Sequence, residues 1–483
     1  MDSKALARRL EGDAYAVSRR FRALLESFPL AARASSSENS LPVPVEEWCR
    51  WIADNDLSRF GLPPKMGGDP LKFLTLGYEL GLIDFSLMMR YGLQFGFVMR
   101  AISRLGSVEQ LNWLDGIADT RSSACFAMTE VDHGSNVRAL QTTATYRPEC
   151  EDFLLHTPEV GAEKDWVTNL SRATHALVFA RLATQERDHG VHAFWVELRK
   201  ASGELREGVI LGEKRAVTAL HGLDFGRLSF KQLSIPKKSL LSRYARLDEE
   251  GHYRTLLRSE ANRFNAMLGT LVVGRALVAG GAAAGAKKAL AIALHYTAHR
   301  RQFGASGEAV ERAVLRYQSV QRKLIPALAT VIAVDAGRER LTQVQHDYME
   351  NSVKDRELET FTAAFKSYLS RFAVECVETC RQCCGGAGCL ESSGLPLLRA
   401  EVGMFTTMEG DNTVLDLMVA RNLLTDHARG SGSNFIDALS WVGKSVTRAT
   451  QIGPLRSRDS SPERVASVEF LSCALRFRRD RLR

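Results

Sequence analysis

Residue types that could do chemistry gather at three places. The segment CFAMTEVDHGSNVRALQTTATY (125–146) sets a polar, small-residue loop between apolar residues and a strand-like run. Thr129, Ser135, Asn136 and the amides around Gly134 could grip a flat heterocycle and phosphate oxygens. Read alone, the loop is equally an ordinary turn. Within it, Asp132-His133-Gly134-Ser135 puts three triad residue types side by side. A working triad assembles from separated segments, so hydrolysis is not expected. Cys376-x3-Cys380-x2-Cys383 has a spacing that can hold a 4Fe–4S cluster with one open iron site. The first two cysteines extend an amphipathic helical pattern and no strand–helix rhythm follows. Small buried thiols beneath a glycine turn are expected instead, and no metal. Gly280-x4-Gly285-Ala286-Lys287 misses a phosphate loop, because Lys does not follow the second Gly directly and no Ser or Thr comes next. Close helix packing accounts for it better. GxGxxG, HExxH and GxSxG are absent.

The elements that must position these residues follow from proline placement and periodicity. Six prolines fall from Pro29 to Pro70, none follows until Pro148, and then only Pro158 and Pro236 precede Pro326. The proline-free stretches suit helices. Apolar residues in 84–105 fall on one helical face and predict a buried helix, within about 120 helical residues at the start. The runs 142–146, 175–183, 191–198 and 226–235 are rich in Thr, Val, Phe and Trp, with Asp188-His189-Gly190 as an intervening turn. They predict antiparallel strands in a β segment over about 125–245. Helical spacing returns after Tyr253, in Val310, Val314, Tyr317, Leu324, Leu328 and Val331, and in Leu358, Phe361, Phe365, Leu369, Phe372 and Cys376. Gly280, Gly281 and Gly285 among alanines predict helices that cross closely. RGSGSN (429–434) reads as a linker. The order of helices, strands and helices argues against a doubly wound dinucleotide fold and makes an α+β fold the expectation.

Composition narrows the class. The chain has 483 residues, 45% hydrophobic and 25% charged, an ordinary globular balance that excludes disordered and collagenous classes. No run reaches the ~18 uncharged apolar residues of a membrane span; 266–294 is broken by Arg275, Lys287 and Lys288. The net charge of +8 suggests nucleic acid, but ten Lys/Arg and four Asp/Glu from Trp441 onward place +6 of it in a tail ending RFRRDRLR. A solvated basic end is expected, not a nucleic-acid face. Nine cysteines, with no apolar leader in MDSKALARRLEGDAY, predict reduced thiols. With RLR rather than a peroxisomal tripeptide at the end, the expected location is cytoplasmic.

Six segments, in order, resemble the acyl-CoA oxidase branch of the acyl-CoA dehydrogenase/oxidase superfamily. They are the segment 125–146, Lys164-Asp165-Trp166-Val167-Thr168-Asn169, Ser234-Ile235-Pro236 with Leu240-Leu241, and Arg300-Arg301-Gln302-Phe303-Gly304. The last two are Gln382-Cys-Cys-Gly385-Gly386-Ala-Gly388 and Met408-Glu409-Gly410-Asp411-Asn412-Thr413-Val414 through Arg421. The resemblance implies an N-terminal helical domain (1–124), a β-barrel-like middle domain (125–252), a helical bundle (253–428) and a shortened second C-terminal helical domain (435–483).

The resemblance also implies noncovalent FAD and an acyl-CoA substrate. Glu409 matches the catalytic base, which removes an α-proton while its own backbone N–H and an FAD hydroxyl hold the thioester oxygen. Hydride then leaves Cβ for the flavin and a trans-2-enoyl-CoA results. Thr129, Trp166, Thr168 and Asp411 match flavin-side positions. Arg301, Phe303, Gln382, Gly385 and Gly386 match positions holding FAD across a homodimer interface. Ser135, Arg275 and Gly410 match substrate positions, Arg275 at the thioester end. DHGSN, SGLP (393–396), MEGDN and the 24-residue step from Gly385 to Glu409 resemble oxidases, so O₂ is the expected electron acceptor. Thr168, where oxidases usually carry glycine, and Cys389, where an aromatic is usual, depart from the pattern. An electron-transfer flavoprotein is the alternative acceptor, and a non-catalytic acyl-CoA-binding homologue the remoter alternative.

Overall fold

The computed structural model describes residues 7–8, 11–26, 45–185, 187–304, 310–351, 355–430 and 461. Contacts divide the chain into two compact units, Met1–Met418 and Val419–Arg483. Apart from Ser461, the segment expected at 435–483 lies outside the described residues, as does 431–434 of the expected linker.

The N-terminal helices of the first unit are α1 (Ala14–Glu26), α2 (Val45–Asp54), α3 (Pro70–Ile83), α4 (Phe85–Tyr91), α5 (Met99–Leu105) and α6 (Trp113–Ala118). Carboxylates start two of them. Asp69 accepts from Lys72 N at 3.0 Å with Pro70 at the first helical position, and Asp84 accepts from Leu87 N at 3.1 Å. The apolar run 84–105 is helical throughout, but its middle, Gly92–Val98, is a π-helix between α4 and α5. That wider turn carries the buried Gln94, whose amide is fully used. Its Nε2 donates to Ile117 O (3.1 Å) and Ser122 O (2.8 Å), and its Oε1 accepts from Ala124 N at 2.9 Å. Buried Arg90 adds bonds to Ala124 O and Ser123 Oγ. The helices are thus bonded to the first strand.

The strands are β1 (Ala124–Ala127), β2 (Thr143–Arg147), β3 (Asp152–His156), β4 (Lys164–Thr168), β5 (His175–Ala183), β6 (Asp188–Glu197), β7 (Val209–Arg215), β8 (Phe225–Phe230) and β9 (Leu233–Pro236), with short β10 (Ala245–Leu247) and β11 (Tyr253–Thr255). One sheet contains β1, β5, β2, β3 and β9, with β6 also on β5; a second is β4–β8–β7. Phe153, Val178 and Phe194 of the first pack with Val167, Leu228 and Phe230 of the second.

Three strand expectations need correction. Pairing is not all antiparallel: β5 runs parallel to β1 (Ala124 opposite His175) and to β2 (Thr143 opposite Arg181). Parallel partners meet through long crossovers, which local alternation does not encode. Asp188-His189-Gly190 is not a turn but the start of β6. The run 226–235 splits at Gln232, whose φ of +50° carries the chain from the second sheet into the first.

The later helices are α7 (Glu260–Leu268), α8 (Val272–His299), α9 (Gln318–Asn351), α10 (Asp355–Cys383), α11 (Leu395–Met404) and α12 (Asn412–Gly430). Among the described residues, Glu260–His299 is long and apolar enough to cross a membrane by composition, and most of it is buried inside the protein. Close approach explains Gly274, Gly281 and Gly285, whereas Gly280, also expected at a close crossing, has nothing within 4 Å of a built Cβ. A Cβ on Gly274 would lie 1.7 Å from the Phe97 ring, and one on Gly285 would lie 2.6 Å from Val402. The helical spacing from Val310 to Tyr317 misleads. Arg312–Ala313 (β13) pairs with Arg301–Gln302 (β12), Val314 N donates to Arg300 O, and Tyr317 OH donates to Gln302 O, so α9 begins only at Gln318.

One buried ion pair fixes the long loop after β1. Lys164 Nζ donates to Glu130 Oε1 at 2.8 Å, with neither side chain exposed, and also to Met128 O. Glu130 further accepts from Gln141 N at 2.7 Å and Thr142 N at 3.0 Å. Glu130→Ala would strand a buried ammonium and two amides, at a cost of about 3–5 kcal/mol. Denaturant unfolding should show that loss, and hydrogen exchange should accelerate at Gln141 and Thr142. The double change Glu130→Leu with Lys164→Met should recover much of the stability.

Candidate active site

The loop between α11 and α12 places Glu409. It leaves α11 through turns, with Met408 N donating to Met404 O at 3.0 Å, and enters α12 with Asp411 accepting from Thr413 N at 2.8 Å. Between them Glu409 (φ +58°) and Gly410 (φ +101°) are consecutive left-handed residues. For glutamate that conformation costs energy and persists only when its surroundings hold it. Two cations do so from different helices. Arg275 of α8 donates through Nε to Glu409 O at 3.4 Å. Lys366 of α10 donates to Gly410 O at 2.6 Å, Asn412 Oδ1 at 2.9 Å and Thr406 O at 3.3 Å. The Asn412 amide in turn donates to Ser370 Oγ at 2.9 Å.

The carboxyl itself is poised. Glu409 as a residue is partly accessible, but its Oε2 is buried with no hydrogen-bond partner. Burial pushes its pKa up to about 7, against the pull of Arg275 and Lys366. Burial likewise draws Lys366 down to about 8, opposed by the Glu409 charge. A carboxyl balanced between its two forms at neutral pH, with an unoccupied oxygen, suits proton abstraction from a weak carbon acid.

A second group lies where β4 runs beside the loop after β1, with Asp165 N donating to Thr129 O at 3.0 Å. Trp166 stands at an irregularity in the β4–β8 register, with φ +58° and 52% exposure. The Phe225 edge (6.0 Å) and the Arg215 guanidinium (5.8 Å) flank its ring, and Arg215 is itself paired with Asp165. Thr168 is buried, and Asn169 ties the strand end to Ser123 Oγ and Ala124 O. Phe97, from the π-helical turn, packs on Phe126 at 5.6 Å and against Gly274, the neighbour of Arg275. It therefore touches the segments that carry both groups.

The other sequence candidates lie in the open. Ser135 is exposed on its loop. Arg301 is exposed and donates to Glu311 O, while Phe303 has φ +54° and is 75% exposed. Gln382 is exposed and bonded to Glu378, and no atom lies within 4 Å of a Cβ built on Gly385 or Gly386. The structure thus brings Glu409, Gly410, Asp411 and Arg275 together, sets Thr129 beside the Trp166–Thr168 strand, and leaves the other positions at the surface. Of the clustered cysteines, Cys376, Cys380 and Cys384 are buried, with Cys376 Sγ donating to Ala286 O at 3.8 Å, while Cys383 is half-buried and Cys389 is exposed. Sequence reasoning missed Lys366. A signal existed: Thr362, Lys366 and Ser370, four residues apart, form a fully buried polar stripe beside the apolar face of α10.

Comparison with known proteins identifies the family. The acyl-CoA oxidase C-alpha1 domain family matches residues 268–424, and the acyl-CoA dehydrogenase middle domain family matches 125–233. Acyl-coenzyme A oxidase 2, peroxisomal, of Arabidopsis thaliana is 33% identical over 429 residues, 86% of this chain and 62% of that protein. The chain therefore spans less than two thirds of that relative. Among solved structures, Arabidopsis thaliana acyl-CoA oxidase 1 superposes with a TM-score of 0.79 at 30% identity, covering 100% of this chain and 73% of that one. Acyl-CoA oxidase-1 of Caenorhabditis elegans, complexed with FAD and ATP, gives 0.73 at 25% identity, covering 96% and 68%. The expected cytoplasmic location needs correction: the first relative and other matched oxidases are named peroxisomal, which points to the peroxisome. The cytoplasmic expectation rested on missing signals, and a missing signal places nothing. On these matches the chain belongs to the acyl-CoA oxidase branch of the acyl-CoA dehydrogenase/oxidase superfamily.

Proposed function

We propose that this protein is an FAD-dependent acyl-CoA oxidase of fatty acid β-oxidation, converting an acyl-CoA to its trans-2-enoyl-CoA with O₂ as electron acceptor. The observation that carries the reading is the buried, unpartnered Glu409 Oε2, on a residue whose main-chain carbonyl Arg275 holds. The residues present suit FAD: an exposed Trp166 ring on a strained strand, and turns at Gly385 and Gly386 with open space where side chains would be. Thr129, Trp166, Thr168 and Asp411 would hold the flavin side. Arg301, Phe303, Gln382, Gly385 and Gly386, all solvent-facing in the single chain, would reach the FAD of a second copy. Domain limits at 124, 252 and 428 belong to the same reading.

FAD held by these residues would supply the redox chemistry, a two-electron acceptor for the Cβ hydride that O₂ could reoxidise with release of hydrogen peroxide. The chain does the rest. Glu409 Oε2 takes the α-proton, and its backbone N–H steadies the thioester oxygen as charge grows there. Arg275 holds the Glu409 carbonyl and lines the thioester end, and Gly410 leaves room beside it. Ser135, on its exposed loop, would meet the CoA arm.

Four outcomes are expected. Anaerobic flavin bleaching by a saturated acyl-CoA should fall about tenfold per pH unit below about 7, where Glu409 is protonated, and level off above it. Glu409→Gln should keep the yellow flavin yet lose at least ~10²–10⁴-fold in bleaching rate, and near-normal bleaching would move the base elsewhere. Substrate-reduced enzyme mixed with air-saturated buffer should reoxidise promptly and release hydrogen peroxide. Reoxidation over many seconds, with fast turnover only on adding an electron-transfer flavoprotein or dye, would make the protein a dehydrogenase. Sedimentation should find the flavin in a dimer or larger species, whereas a flavin-loaded monomer would sink that part.

A further inference from the structure

We propose that Lys366 is a positioning residue for the base: its ammonium organises the 406–412 loop around itself and places a positive charge within the loop that carries Glu409. The proposal rests on Glu409 as the base. An ammonium has three hydrogens, and here three oxygens take them: Thr406 O at one end of the loop, Gly410 O next to Glu409, and Asn412 Oδ1 at the start of α12. The side chain is fully buried, so no donor remains for water or substrate. Thr406 and Gly410 bracket Glu409, so tying both carbonyls to one point fixes the left-handed pair between them. Arg275 offers the same loop one longer bond, at 3.4 Å.

A neutral side chain could bridge some of these oxygens, but only a cation also acts on the carboxyl. Among the described residues, the charged groups around the pair are Arg275 from α8, Glu359 and Arg371 from α10, Asp411 from the loop and Asp416 from α12. Asp416 is paired with Arg371, and Glu359 acts on Arg275. Among the described residues, Lys366 and Arg275 are the two cations acting on Glu409. Without Lys366, one cation must balance a carboxylate held from water, and the protonated form gains.

The test reads Glu409 without turnover. Infrared difference spectra against Glu409→Gln, collected from about pH 5 to 9, follow its protonated carboxyl band. In Lys366→Met the titration should move up by about one pH unit, a tenfold loss of ionised base in the acid limb. The bleaching profile should move with it and recover at high pH. An unmoved Glu409 titration in folded Lys366→Met overturns the proposal. If that variant does not fold, the reciprocal effect decides. In Glu409→Gln, Lys366 should titrate lower by a comparable step, because coupling between two sites is mutual. This is read by ¹³Cε-lysine NMR, with the resonance assigned through Lys366→Arg. An unchanged Lys366 again overturns the proposal. Wild-type protein that shows the coupling but no bleaching overturns the assigned reaction instead.

Discussion

The arrangement depends on keeping one carboxyl away from water without neutralising it outright. Glu409 alone, buried, would simply hold its proton; beside an ordinary ion-pair partner it would lose its proton too readily to take one from carbon. Here Arg275 and Lys366 engage the loop's main chain, while Oε2 is left without a hydrogen bond. This sets demands elsewhere. The glycines and alanines of α8 let neighbouring helices close over an arginine. On α10, a polar stripe of Thr362, Lys366 and Ser370 runs beside an apolar face.

Glu130 shows the contrasting use of the same side chain. Its oxygens accept from Lys164, Gln141 and Thr142. Although its burial opposes ionisation, those donors and the Lys164 charge hold its pKa below the usual value. With its capacity used in holding a loop, it has no room for a reactant. Glu409 keeps its oxygen free and its pKa high. What separates a fastening carboxylate from a reactive one is the number of donors pointed at it, not its depth.

The sequence made much of this readable where the signal is local. The strand His175–Ala183 spans the run that its β-rich composition marks, and the apolar face from Leu358 to Cys376 lies on one helix. Gly281 and Gly285 do mark close packing. Information carried between distant segments was not readable. The parallel pairing of β5, the turn at Gln232, and the diversion of Arg312–Ala313 into pairing with the Arg301–Gln302 strand depend on partners elsewhere along the chain. Lys366 escaped for the same reason: its oxygens lie 40 to 46 residues later. Glu409 was legible only through resemblance, since a lone loop acid carries no chemistry in its spacing.

The π-helical turn Gly92–Val98 has a consequence for how the chain tolerates change in length. Such a turn amounts to one residue inserted into an otherwise α-helical ladder. Removing a residue there would let the ladder close into a regular helix with no broken hydrogen bonds of its own. Yet everything on one side would rotate by about 100° relative to the other. Gln94 would swing from its three bonds to the first strand, or Phe97 from its seat over Gly274. The deletion would improve the helix and misalign the two layers it joins. Length variation in this helix is therefore constrained by rotational phase rather than by helical stability.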